Sequence, residues 1–172
     1  MNRIALLVLP LALAVAVPAQ AQEIFGGLYV HDIESPLTLS GEEEGADLQL
    51  GYRWNRIGRT PIQPYVFGAL NSSGQTHYAV AGVSARFGSR FYVRPGVGIA
   101  LHSGDDGDFQ DFSDDNVEFG SRLLFAPELG VGYSVNEQLT VEASLVHLSH
   151  AQLFGDQNPG IDNLGIRLNW KL

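Results

Sequence analysis

Hydrophobic and polar residues alternate with a period of two along most of the chain after residue 22. This period is typical of β-strands, whose successive side chains point to opposite faces, whereas a helix repeats every 3.6 residues. Clusters of Gly, Asn, Asp and Ser separate the alternating segments and predict turns. The pattern predicts eight strands, at 23–31, 45–54, 62–71, 76–87, 90–102, 121–135, 138–149 and 162–172.

The connections between the predicted strands differ in length at the two ends of the sheet. Long polar segments at 32–44, 103–120 and 150–161 alternate with short ones at 55–61, 88–89 and 136–137, and 72–75 is the one short connection at the long-loop end. Strands of about ten residues joined in this way are typical of an up-and-down barrel with one loop-rich end, and that length also crosses a bilayer. The fold class that we predict is all-β, an eight-stranded antiparallel up-and-down β-barrel.

The two faces of the predicted strands differ in chemistry. In 138–149, the face of Leu139 and Leu145 is apolar, and the face of Thr140 and Glu142 is polar. A soluble, lipocalin-like barrel would turn the apolar face inward, whereas an outer-membrane barrel turns it outward. Apolar faces that end in Tyr or Trp, and polar faces that mix Gly with both charge signs, favour the transmembrane barrel. Its expected interior ion-pair residues are Arg86, Arg94, Glu128, Glu142 and Arg167.

The first 21 residues have the pattern of a cleaved signal peptide. A positive start at Arg3 precedes an apolar run from Ile4 to Val17, and Ala19 and Ala21 supply the small residues that a signal peptidase reads. A membrane anchor is the alternative, but the run is short for a spanning helix. We therefore expect a signal peptide at 1–21, an outer-membrane barrel at 22–172, and export from the cytoplasm.

Composition narrows the chemistry further. The 172 residues include no Cys, which excludes disulfides, thiolate metal sites and a cysteine nucleophile. The formal net charge of −9 and the lack of a basic cluster argue against a nucleic-acid partner. The acidic runs at 42–44 and 105–118 are expected to be solvated loops, with divalent-cation binding as the alternative. We expect three further histidines near strand ends to be interfacial, namely His31, His77 and His102.

One polar cluster falls on the apolar side of the predicted barrel. His147 and Ser149 are two residues apart on a strand, so their side chains lie on one face, about 6–7 Å apart. The predicted hairpin brings them beside Asp162, at the start of the last strand. His147 can accept the Ser149 proton while Asp162 orients the imidazole, as in a nucleophilic triad. The alternative is that these polar residues only mark the membrane–water boundary.

In this segment the sequence resembles the lipid A 3-O-deacylase (PagL) family, eight-stranded outer-membrane esterases. The resemblance rests on His147, Ser149, Ala151 and Leu153, followed by Asn158, Gly160, Ile161 and an acid at Asp162. It implies Ser149 as the nucleophile, His147 as the general base and Asp162 in the place of the usual Glu. His150 stands where the family usually has Asn, so the expected oxyanion donors are His150 or the backbone N–H groups of Ala151 and Gln152.

The resemblance also implies the partners and the location. The substrate would be lipid A of lipopolysaccharide, cleaved at its 3-O-linked 3-hydroxyacyl chain in the outer leaflet of a Gram-negative outer membrane. Outer-membrane lipids are the expected surroundings. Ester hydrolysis by Ser and His requires no cofactor or metal. The sequence does not decide between a monomer and a homodimer. Two rival functions are a non-enzymatic small barrel, acting as an adhesin or membrane stabiliser, and a soluble ligand-binding barrel.

Overall fold

The computed structural model describes residues 22–36, 38, 43–107, 116–153 and 158–172. The expected signal peptide and most of the second acidic run lie outside these residues. The strands are β1 (Glu23–Val30), β2 (Ala46–Arg53), β3 (Ile62–Asn71), β4 (Tyr78–Ala85), β5 (Phe87–Gly88), β6 (Phe91–His102), β7 (Leu123–Ser134), β8 (Leu139–Ser149) and β9 (Gly160–Lys171). Across the described part of the chain, no helix is long and apolar enough to span a membrane.

The strands form one closed antiparallel sheet. Consecutive strands pair along the chain, and β1 pairs with β9 to close the circle. β4 pairs with β6, and the two-residue β5 continues β4 in the same register against β6. The molecule is therefore an eight-stranded antiparallel barrel, as the sequence predicts.

The division of the fourth predicted strand, 76–87, into β4 and β5 has a local cause. The register pairs Ser84 with Gly96 and Phe87 with Val93, which sets Ala85 opposite Pro95. Proline has no backbone N–H, so it cannot donate a hydrogen bond in a sheet ladder. The strand pairing is interrupted beside this residue.

The barrel has an apolar outer wall, and its interior combines buried polar and charged side chains with a buried cluster of apolar and aromatic ones. Leu50 on β2 is 67% exposed, whereas its neighbour Gln49 is 1% exposed and points inward. The same alternation runs along β8 and β9, where even-numbered residues of β8 and odd-numbered residues of β9 face the interior. An exposed apolar wall around a polar interior is the arrangement of a membrane barrel.

Buried ion pairs fill the middle of the barrel. The Arg167 guanidinium contacts Glu128 Oε2 at 3.1 Å and Glu142 Oε1 at 3.3 Å. Arg94 Nη1 lies 2.9 Å from Glu23 Oε2, which the predicted set did not contain. Because each charge has an opposite charge within contact distance, the interior can hold them away from bulk water.

Two arginines also differ from the expected ion-pair set. Arg53, absent from that set, donates from Nη1 to Glu23 at 2.8 Å. Arg86, which we expected in the ion-pair network, lies at the short-loop end instead. It donates to Ser89 O and Ser134 Oγ there, at 2.6 and 2.8 Å.

The long-loop end contains a second buried polar network. His31 Nδ1 contacts Asp47 Oδ1 and His31 Nε2 contacts Glu43 Oε2, each at 2.9 Å. Glu43 also accepts hydrogen bonds from Thr76 N and Oγ1 and from Val117 N, so one carboxylate joins three loops. Burial alone would lower the pKa of His31, but hydrogen bonds and charges from Asp47 and Glu43 raise it to about 9.

These contacts correct the expectation for two histidines at strand ends and for one residue of the first acidic run. His31 is buried rather than interfacial, because it continues the inward-facing positions of β1. His102 is also buried, and its Nε2 lies 2.7 Å from Ser121 O. Glu43, expected in a solvated acidic run, is 3% exposed.

Candidate active site

Three polar side chains meet on the outer wall where β8 ends and β9 begins. The strand register pairs His147 with Asp162 and Ser149 with Gly160. His147 Nδ1 lies 2.8 Å from Asp162 Oδ1, and His147 Nε2 lies 2.8 Å from Ser149 Oγ. The structure thus joins the three residues singled out in the sequence into one continuous hydrogen-bonded chain.

The two contacts imply where each of the two shared hydrogen atoms lies. A carboxylate only accepts hydrogen bonds, so the Nδ1–H of His147 donates to Asp162. In that neutral tautomer Nε2 carries a lone pair and accepts the hydroxyl hydrogen of Ser149. This is the arrangement in which an imidazole removes a proton from a serine as it attacks an ester carbonyl.

The carboxylate of Asp162 is fully buried although its residue number places it on the outer face. Its Oδ2 accepts hydrogen bonds from Ser35 Oγ and from Thr38 Oγ1, the latter at 3.0 Å. Both hydroxyls come from the β1–β2 loop, which also donates the N–H of Ile33 to the Asp162 carbonyl at 2.7 Å. This loop therefore covers the acid and leaves His147, with its side chain 16% exposed, as the more accessible partner.

The end of β8 and the start of β9, which carry the site, are packed on two sides. Behind the site, the inward-facing Val146, Leu148 and Ile161 are fully buried in an apolar cluster. Beside it, a Cβ on Gly160 would lie 2.5 Å from the carbonyl oxygen of Leu148, so only glycine fits this close approach of the two strands. The backbone that carries the three side chains is thereby fixed.

The three candidate oxyanion donors follow β8 in a tight turn. Ala151 and Gln152 have φ angles of 54° and 57°, and the Leu153 N–H closes the turn on His150 O at 3.1 Å. The Gln152 N–H donates to Asn158 Oδ1 at 3.3 Å. His150 is 1% exposed. Their role as oxyanion donors stays a prediction.

The side chain of His150 lies toward Gly120 on the β6–β7 loop. A Cβ built on Gly120 would stand 3.6 Å from His150 Nε2. Within the described segments, no cluster of three or more His, Asp or Glu side chains is arranged to hold a metal ion.

Comparison with known proteins identifies the family. The sequence profile of the lipid A 3-O-deacylase (PagL) family matches residues 43–171. The chain belongs to this family. Its barrel is similar to the crystal structure of the outer membrane enzyme PagL, with a TM-score of 0.61 and 18% sequence identity over 87% of this chain and 99% of that chain.

Two other solved structures share the barrel. The Yersinia pestis outer membrane protein Ail, in a phospholipid bilayer nanodisc, has 11% identity and a TM-score of 0.52, over 88% of this chain and 99% of that one. Neisserial surface protein A has 13% identity and a TM-score of 0.53, over 90% and 100%. No curated protein sequence matches the chain significantly. At such identities the structural likeness shows the fold, so family membership rests on the sequence match.

The PagL-family chain presents an apolar wall beside the polar cluster. Ser149 pairs with Phe125 of β7, and Phe125 pairs with Ile99 of β6. Ile99 lines a groove of about 750 Å³ on the barrel exterior, together with Leu101 and Leu123.

Ser35 and Thr38 are site residues that the strand pattern does not reveal. They belong to the predicted connection 32–44, where no strand alternation assigns a face to either side chain. Asn158, by contrast, is among the residues that carry the family resemblance, and it supports the turn after β8.

Proposed function

We propose that this PagL-family protein is a serine esterase that removes the 3-O-linked 3-hydroxyacyl chain of lipid A. The observation that carries the proposal is the unbroken hydrogen-bonded chain from Asp162 through His147 to Ser149, placed on the outer wall of a barrel. Within a family defined as lipid A 3-O-deacylases, this cluster has the residue types and contacts that ester hydrolysis requires.

The reaction proceeds in two acyl-transfer steps. Ser149 Oγ attacks the ester carbonyl carbon while His147 Nε2 takes the hydroxyl proton, and the negative charge of Asp162 stabilises the imidazolium. The bond between the carbonyl carbon and the 3-oxygen of the sugar then breaks, and the imidazolium gives its proton to this departing oxygen, which leaves as the 3-hydroxyl. Water then attacks the acyl-serine with His147 again as the base, which releases a 3-hydroxy fatty acid and regenerates Ser149. No cofactor enters these steps.

The position of the cluster suits a substrate that never leaves the membrane. His147 and Ser149 lie on the outer wall near the long-loop end, next to the apolar surface of Phe125 and Ile99. With the expected periplasmic N-terminus, β1 runs outward and the long loops face the cell exterior. Ser149 then lies at the level of the outer leaflet, where the ester bonds of lipid A are found.

The test is hydrolysis by the purified barrel in detergent. Wild type is expected to release 3-hydroxy fatty acid from purified lipid A, measured by mass spectrometry, and Ser149→Ala and His147→Asn are expected to release none above background. Ser144→Ala is the matched control, because Ser144 lies on the same strand but points into the barrel. Release by Ser149→Ala at the wild-type rate would overturn the proposal.

A further inference from the structure

The two carboxylate oxygens of Asp162, the acid of the proposed triad, accept hydrogen bonds from different partners. Asp162 Oδ1 receives the His147 Nδ1–H, whereas Oδ2 receives the hydroxyls of Ser35 and Thr38. The carboxylate is 0% exposed, and a buried carboxylate depends on such donors because water cannot reach it. The donors to Oδ2 stand more than 120 positions earlier in the chain, on the β1–β2 loop.

The two residues that carry these hydroxyls also hydrogen-bond to each other. The Ser35 N–H donates to Thr38 O at 3.1 Å. In return, the Thr38 N–H lies 3.4 Å from Ser35 Oγ. Each hydroxyl therefore reaches Asp162 from a backbone that the other residue helps to fix.

The loop residues just before Ser35 are also attached to the barrel. Ile33 N–H donates to the Asp162 carbonyl at 2.7 Å, and Asp32 N–H donates to Asn163 Oδ1 at 3.1 Å. Asp32 Oδ2 in turn accepts the Glu43 N–H at 3.1 Å, which joins the loop to the buried network at its far end. These bonds hold the hydroxyls in place relative to β9.

We propose that Ser35 and Thr38 are positioning residues, which set the plane of the Asp162 carboxylate and through it the orientation of His147. This inference rests on the proposed esterase function. Rotation of the carboxylate toward any other plane breaks its bonds to the two hydroxyls, so Oδ1 stays directed at His147 Nδ1. Without the two hydroxyls, the imidazole loses its fixed direction toward Ser149. The rate of the chemical step then falls, whereas the affinity for the substrate changes less.

The test removes the hydroxyls with little change of shape. Thr38→Val is expected to lower kcat on lipid A roughly tenfold and Thr38→Val with Ser35→Ala roughly a hundredfold, with KM changed less than about twofold. Thr38→Ser restores the hydroxyl and is expected to restore most of kcat. Thr140→Val is the matched control, because Thr140 is a buried threonine whose hydroxyl bonds to Tyr92 at the other end of the barrel.

A second readout follows the imidazole directly. In protein labelled with ¹⁵N-histidine in micelles, the low-field proton signal of the His147 Nδ1–H is assigned by its loss in His147→Asn. It is expected to shift in Thr38→Val and to stay in place in Thr140→Val. Heat-modifiable migration on gels checks that each variant is folded.

The outcomes separate the two proposals. Full kcat together with an unmoved His147 signal in the double variant would overturn the positioning role, as would an equal fall of kcat in Thr140→Val. If wild type hydrolyses no lipid A, the proposed function fails, and the His147 signal alone then decides whether the two hydroxyls orient the imidazole.

Discussion

Replacing Asp162 with Asn removes one negative charge from the site and leaves its shape almost unchanged. The Asn carbonyl oxygen can still accept the His147 Nδ1–H, which in the wild type lies 2.8 Å from Asp162 Oδ1. The amide NH₂ then faces Ser35 and Thr38, whose hydroxyl oxygens can accept as well as donate. The variant therefore isolates the charge, and it is expected to fold as a barrel.

The size of the effect follows from the burial of the pair. When His147 takes the Ser149 proton, an imidazolium forms beside a carboxylate that is 0% exposed. At about 4 Å between charge centres and an effective dielectric constant of about 20, their attraction is about 4 kcal/mol. Since about 1.4 kcal/mol corresponds to a tenfold change in rate, loss of this charge is expected to lower kcat about a thousandfold.

The assay is single-turnover release of 3-hydroxy fatty acid from lipid A in detergent, with wild type and Asp162→Asn at equal folded concentration. Folding is checked by heat-modifiable migration. The expected result is a large fall in the rate constant without loss of the folded form. A folded Asp162→Asn barrel within about threefold of wild type would refute the assignment of Asp162 as the acid that stabilises His147.

Two further predictions concern the frame of the barrel. Gly160→Ala places a methyl group 2.5 Å from the Leu148 carbonyl and 3.0 Å from the Ser149 Cβ, so we expect lower esterase activity and a free energy of unfolding lower by about 1–3 kcal/mol. Gly68→Ala, with its nearest atom 4.0 Å away, is the control, and equal behaviour of the two variants would contradict this. The pKa of His31 is raised from 6.5, its value in the unfolded chain, to about 9 in the folded barrel. Protonation of His31 is therefore expected to stabilise the fold by roughly 3 kcal/mol below pH 6.5, and this contribution is lost as the pH rises through about 9. Urea unfolding followed by tryptophan fluorescence should show this loss in wild type and not in His31→Gln; parallel pH curves would disprove it.

The strand arrangement could be predicted from the sequence because the side-chain period is a strong local signal. Leu50 and Gln49 lie on opposite faces in both the pattern and the structure, and a shift of register by one residue would expose every interior charge to lipid. The same parity placed His147 and Ser149 on one face. The hairpin added Asp162, because the register of β8 and β9 brings residues 147 and 162 side by side.

Contacts made by the loops could not be predicted in this way. Ser35 and Thr38 reach Asp162 from a loop through tertiary hydrogen bonds, so no periodicity marks them. His31 is an intermediate case. Its position continues the inward parity of β1, a usable signal, but its partner Glu43 comes from within an acidic run that resembles a solvated surface.

The central claim is that Ser149 makes this barrel a lipid A 3-O-deacylase, and the most direct measurement is mass spectrometry of lipid A from Gram-negative cells. Cells that express wild type are expected to lose one 3-hydroxyacyl chain, with fragmentation placing the loss at the 3-position. Cells that express Ser149→Ala at the same level in the outer membrane are expected to keep it. Identical lipid A from both, or loss of the chain in both, would contradict the account.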